Sequence, residues 1–141
     1  MFEAPEVPGA ADVIAWFGYW PNFHDAEVLS IAMDRERGIT VAVHVFRMTS
    51  EVNEKGQYVL DKHAVVKFSM TGFPVDESGW VPTKLQEFNQ QNVLSSARVE
   101  KRDYGWELIL DPCFGVCGSI ASETMSVSTE AGIPPGQYRR G

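Results

Sequence analysis

Between Leu29 and Val45 apolar side chains recur at every second position. They are Leu29, Ile31 and Met33 and then, past Arg35-Glu36-Arg37-Gly38, Ile39, Val41, Val43 and Val45. A period of two places successive side chains on opposite sides of an extended chain, so this stretch predicts a hairpin with one apolar face. His44 falls on the other face, between Ala42 and Phe46, and an aromatic-plus-polar second face implies partial cover by another element. Tyr58 to Thr71 repeats the alternation, with Ala64, Val66, Phe68 and Met70 opposed to His63, Lys67 and Ser69 on a wet face. Further strands are predicted at Val93–Lys101, at Trp106–Leu110 and within Ser119–Ser128. Ala10–Phe17 reads as a short helix ended by Gly18 and Pro21, and Thr83 with Gln86 fits a capping box opening a second one through Phe88. The sum is a mainly β (α+β) fold: an antiparallel sheet of about six strands with two short helices. The sheet and helices occupy a single domain over residues 1–130, followed by a flexible tail over 131–141 that is rich in Gly and Pro.

A chain of 141 residues buries about 68% of its unfolded surface without help from staples. Cys113 and Cys117 are too few for a disulfide framework or an all-thiolate zinc site, and free thiols are expected. No apolar run approaches the ~20 residues that span a bilayer. The N-terminal MFEAPEVPGAADV has acids where a signal peptide carries Lys or Arg. The expected location is therefore the cytoplasm, with no membrane partner.

The net charge of −7 is unevenly spread. Residues 1–34 contain six acids and no Lys or Arg, residues 103–130 contain five acids and again no base, and the intervening stretch holds ten bases and eight acids. If both base-free stretches share a side of the fold, they form a negative face that repels nucleic-acid phosphates and attracts a basic protein. Asp25, Glu27, Asp103, Glu107 and Asp111 are the acids assigned to such a face; the alternative is that the charge serves solubility alone.

Trp16, Phe17, Tyr19, Trp20 and Phe23 put five rings in eight residues, with Gly18 and Pro21 among them. So many rings cannot all point inward from a short helix and turn. Some are expected to be core, while Trp16, Tyr19 and Trp20 are candidates for an exposed anchor. His24 and Asp25 are read with Phe23 as structural residues bonding the backbone where the aromatic turn enters the first strand. The amide-rich run Phe88-Asn89-Gln90-Gln91-Asn92 is read either as a helix exit whose amides satisfy loose backbone groups or as a polar recognition surface, with Phe88, Asn89 and Asn92 as its motif residues. A metal site or small-molecule enzyme built on His24, Asp25 and Glu27, with His44 or His63, is the rival reading, although no two of the histidines have metal-ligand spacing. No nucleophile elbow, phosphate loop or dinucleotide fingerprint occurs. No catalytic residue, metal ligand or cofactor is assigned, and the chain is expected not to be an enzyme.

The segments FGYWPNFHDAEVLSI (17–31), VAVHVF (41–46) and FNQQNVL (88–94) resemble the immunity protein 50 family of bacterial polymorphic-toxin systems, over residues from Trp16 to about Val127. The order Trp-Pro-x-Phe-His-Asp-Ala-Glu, residues 20–27, carries most of that resemblance. It implies a non-enzymatic protein that binds a cognate toxin domain and blocks it; no catalytic residue comes with it. An acidic surface would speed capture of a basic toxin. Self-association through the aromatic cluster is a third reading.

Overall fold

The structure is a computed structural model and describes residues 4–134. Helix α1 (Ala10–Phe17) precedes β1 (Glu27–Asp34), β2 (Gly38–Val52), β3 (Tyr58–Thr71), β4 (Val75–Asp76), β5 (Gly79–Trp80), β6 (Lys84–Gln86), β7 (Val93–Arg102), β8 (Gly105–Phe114), β9 (Cys117–Ser122) and β10 (Thr124–Ala131). Eight strands form one antiparallel sheet in the order β10-β3-β2-β1-β7-β8-β9-β6, and β4 with β5 makes a separate small hairpin. The chain is thus mainly β and antiparallel, but with more strands than six and, among the described residues, one helix. Residues 135–141 of the expected tail lie outside the described residues. Ala131 still belongs to the sheet, opposite Ala64, and just past it the Gly132 N–H donates to the His63 carbonyl.

The predicted second helix is a strand. Lys84–Gln86 pairs with β9, and Gly118 lets the two backbones close up, since a Cβ there would lie 1.8 Å from the Lys84 carbonyl oxygen. One turn of helix closes few hydrogen bonds for its nucleation entropy, whereas a sheet edge already in place supplies partners at once. The strand predicted within Ser119–Ser128 divides at Glu123. Before it the chain pairs with β8, after it with β3, so one length of chain serves both halves of the sheet. A second corner joins β1 to β7 through the single pair Glu27↔Val93, flanked by the backbone bonds Val28 N–H to Asn92 O and Leu94 N–H to Ala26 O. Strands that change partner at such corners let the sheet fold onto itself.

The alternating residues then meet inside. Val41, Val43 and Val45 lie opposite Phe68, Val66 and Ala64, which continue to Val127 and Met125 on β10; Leu108, Leu110 and Ile120 join the same core from the other half. The first strand departs from its predicted phase. A bulge between Val28 and Ser30 turns Val28, not Leu29, inward against Val43, and leaves Met33 exposed. Helix α1 buries Ala10, Val13 and Phe17 against this core. His44, predicted to lie under partial cover, is buried; its ring stacks on that of His63 with 3.1 Å between Nε2 and Nδ1, and Phe46 lies beside both.

Beyond residue 45 the β2–β3 pair leaves the sheet as a two-stranded arm. Its base is clamped by Arg47, whose Nε and Nη2 donate to the two oxygens of Asp61 at 2.9 and 2.7 Å. Hydrogen bonding to Arg47 holds the Asp61 carboxyl below its ordinary value, and the same bond raises the Arg47 guanidinium. A carboxyl with a depressed folded pKa stabilises above its unfolded pKa and loses that contribution as pH falls through the folded one. Acidification below about pH 4 is therefore expected to loosen the arm, seen as faster amide exchange at residues 47–61 once intrinsic rates are corrected. Asp61→Asn should abolish the acid-dependent part; an unchanged pH profile in that variant would show that the pair does not hold the arm.

Candidate partner-binding surface

The aromatic turn is mostly core. Phe17, Trp20 and Phe23 are buried, with Phe23 edge-on to Trp20 at 5.8 Å and tilted against Phe68 at 5.7 Å. Trp16 is half-buried and donates its indole N–H to the Lys62 carbonyl, with the Lys62 ammonium 4.8 Å from the ring centroid. Of the three proposed anchors only Tyr19 is exposed. Trp20 is buried where the turn is bound to β7 by backbone hydrogen bonds, Asp25 N–H to Leu94 O and Ala97 N–H to Asn22 O. Phe23 and Asp25 take positive φ of 65° and 64° to achieve this, a conformation unusual for bulky residues and held only where surroundings over-determine it. His24 is exposed; its Nδ1 donates to the Ser95 carbonyl at 3.1 Å, and its Nε2 lies 3.6 Å from Asp25. The His24 side chain thus bonds the backbone of β7, whereas Asp25 reaches β7 through its own main-chain N–H and its carboxylate lies beside His24.

The amide run is a loop that braces the same corner. Asn92 is buried; its Oδ1 accepts from the backbone N–H groups of Asn89 and Val116, at 3.0 and 2.9 Å, and its Nδ2 donates to the Asn89 carbonyl at 2.7 Å. Asn89 in turn accepts from the Gln91 N–H, and Phe88 is exposed. The amides serve backbone groups, but at a loop rather than at a helix exit.

The acids split in a way that chain order concealed. Residues 103–130 carry no base, yet register sets Glu107 and Asp111 beside arginines of β7. Arg102 donates to Glu107 at 2.9 and 2.6 Å, and Arg98 lies 3.3 Å from Asp111, which also accepts from the Ser96 hydroxyl. Asp25 faces His24, and Glu27 lies opposite His44 in the β1–β2 register. Asp103 is exposed, in the β7–β8 turn, with no ion pair among the described residues.

Asp103 belongs to the end of the fold where β1–β2, β3–β4, β7–β8 and β9–β10 all turn. Gly105 packs there against Glu123, where a Cβ would lie 2.3 Å from the Ser122 carbonyl oxygen; Glu123 accepts the Phe73 N–H. Phe73 opens the small β4–β5 hairpin, whose rings Phe73 and Trp80 stack at 6.1 Å and 22°. Phe73, Val75 and Trp80 are 66%, 53% and 60% exposed. Asp76 and Glu77 form the hairpin tip, with Asp76 accepting the Ser78 N–H. Burial, and next the Glu107 carboxylate, raises the neighbouring Tyr104 phenol above its ordinary value. Asp76, Glu77, Asp103 and Glu123 form no ion pair within the described residues, while the adjacent β1–β2 turn balances Asp34 and Glu36 with Arg35 and Arg37. The result is a stacked apolar pair in an acidic surround. Phe73, Val75 and Trp80 were missed because segment 72–82 reads as a Pro- and Gly-rich loop; the signal present was two rings and a valine flanking an acid pair.

No family model, curated protein or solved structure matches this chain. No helix of the described residues is long and apolar enough to cross a membrane. Among those residues no three of the His, Cys, Asp and Glu side chains come together as a metal-holding group, so His24, Asp25 and Glu27 gain no further ligand from the fold. A cavity of about 550 Å³ lies between residues 4–6, Trp20-Pro21 and β7, lined by Arg98, Lys101 and Trp106 but not by that trio.

Proposed function

We propose that this chain is a non-enzymatic, immunity-like protein that binds a cognate bacterial toxin domain in the cytoplasm and neutralises it by occlusion. The observation that supports this best is the Phe73–Trp80 pair, two large rings stacked and exposed within a set of acids lacking ion pairs. Exposed aromatic anchors of this kind form the centre of protein interfaces, because their burial on binding removes much apolar surface at little entropic cost. The acids around them favour a basic partner and speed its approach. The resemblance of residues 17–31, 41–46 and 88–94 to the immunity protein 50 family names the kind of partner, and the net charge of −7 disfavours nucleic acid as a direct ligand.

The test is coexpression with the product of the adjacent gene, which this reading requires to be toxin-like, followed by binding to that purified domain. Phe73→Ser with Trp80→Ser should abolish protection and weaken binding about 30-fold or more, while thermal unfolding moves little because both rings are exposed. Asp76→Asn with Glu77→Gln and Asp103→Asn should slow association and flatten its salt dependence. Full protection by the double aromatic variant would sink the assignment of this surface, and failure of the wild-type chain to bind the domain would sink the function itself.

A further inference from the structure

We propose that the arm formed by β2 and β3 is a self-association surface whose occupant is the arm of a second copy of this chain. The arm begins where its neighbours stop. Pairing of β1 with β2 ends at Glu27↔His44 and that of β10 with β3 at Ala64↔Ala131, so residues 47–52 and 58–61 pair with one another alone. Register then sorts the side chains. Met48 lies opposite Leu60 and, past an irregularity in β2 that sets four of its residues against two of β3, Val52 lies opposite Tyr58; Tyr58 and Leu60 are two apart on β3, which puts the two pairs on one face. Met48, Val52 and Tyr58 are 52%, 56% and 59% exposed. The polar bonds of the arm, Arg47 to Asp61 and the Thr49 hydroxyl to the Val59 carbonyl, satisfy their own groups without covering that row. A two-stranded ribbon is marginal in water until an apolar face is covered.

Charge identifies the occupant. Residues 46–63 hold Arg47, Lys55 and Lys62 against Glu51, Glu54 and Asp61, a balance of zero in a chain of net charge −7. Two such chains carry like net charge, and the neutral arm is a place where they meet without adding to that repulsion. The signs are also distributed. With Arg47 and Asp61 paired at the base, the other base cation is Lys62, exposed with its ammonium over the Trp16 ring, while Glu51 and Glu54 outweigh Lys55 at the tip. Laying two arms antiparallel about a twofold axis, the isologous geometry of closed dimers, brings each copy's tip acids toward the other's Lys62 while the apolar rows meet. β2 runs from the turn end to the arm, so the dimer leaves Phe73 and Trp80 free, and this inference stands apart from the proposed function.

Sedimentation equilibrium on the full chain from about 1 μM to about 1 mM covers the range of weak to moderate association. The wild type is expected to dimerise in it. Met48→Glu with Tyr58→Glu should weaken dimerisation at least about tenfold, and Met33→Glu, at the other end of the fold, should leave it intact. Glu51→Lys with Glu54→Lys should weaken it too, since tip and base would then carry like charge. As a readout independent of any variant, amide exchange of the wild type should slow with concentration at residues 47–61 and nowhere else. A wild type that stays monomeric throughout overturns the proposal, as does a native-like double glutamate variant that still dimerises.

Discussion

Phe23→Ala is expected to destabilise the fold by about 3–5 kcal/mol, the range for removing a large aromatic from a packed core. The reason lies in where the ring sits. Phe23 is buried where α1, the aromatic turn and β3 meet, touching Trp20 on one side and Phe68 on the other. Truncation removes both ring contacts and leaves a cavity that the turn cannot close, because Asp25 and Ala97 N–H groups tie it to β7 on either side. Nor does the smaller side chain relieve the backbone, since alanine is as strained as other L residues at φ 65°. For a chain of this size the melting temperature should drop by about 10 °C or more. Urea unfolding followed by tryptophan fluorescence measures the change directly. Tyr19→Ala, four residues earlier and exposed, should stay within about 0.5 kcal/mol. A loss below about 1 kcal/mol for Phe23→Ala would mean that the aromatic turn is not part of the core.

Asn92→Ala should have a similarly large effect for a different reason. The side chain is buried and makes three hydrogen bonds, all to main-chain groups: it accepts from the Asn89 and Val116 N–H groups and donates to the Asn89 carbonyl. Alanine leaves the Val116 N–H unpaired inside the protein and frees the two main-chain groups of exposed Asn89, at about 1–3 kcal/mol for each group that stays dry, so a total of about 3–5 kcal/mol is expected after partial rehydration. The main-chain carbonyl of Asn92 also accepts from Val28 at the β1–β7 corner. The loss should therefore be concentrated there, with amides of Val28 and Leu94 exchanging faster than those of β2 and β3. Native stability in Asn92→Ala would show that water replaces the amide without penalty.

Both positions lie in segments that the sequence marked, yet the role of each segment was legible only in part. The five-ring cluster pointed to a core or an anchor, and chain order had no means of dividing it. Backbone bonding to β7 did so, drawing Trp20 and Phe23 inside and leaving Tyr19 out. Asn89 and Asn92 carried the right chemistry for backbone satisfaction. That they do so at a loop, not at a helix exit, depended on Lys84–Gln86 finding the β9 edge. The acidic stretch 103–130 looked uniformly negative because its bases are distant in sequence; antiparallel register brings Arg98 and Arg102 across to Asp111 and Glu107.

What the sequence determined by itself is the mainly β, antiparallel class, the inward rows of β2 and β3, the helix at Ala10–Phe17 and the scarcity of positive charge in two stretches. These follow from period and composition, which are local. The tertiary structure decided the rest: the bulge that turned Val28 inward, the corner at Glu123, the free arm, the pairing of Glu107 and Asp111, and the exposure of Phe73 and Trp80. Each depends on which strand lies beside which, and strand neighbours are chosen by long-range burial and hydrogen bonding that no local pattern records.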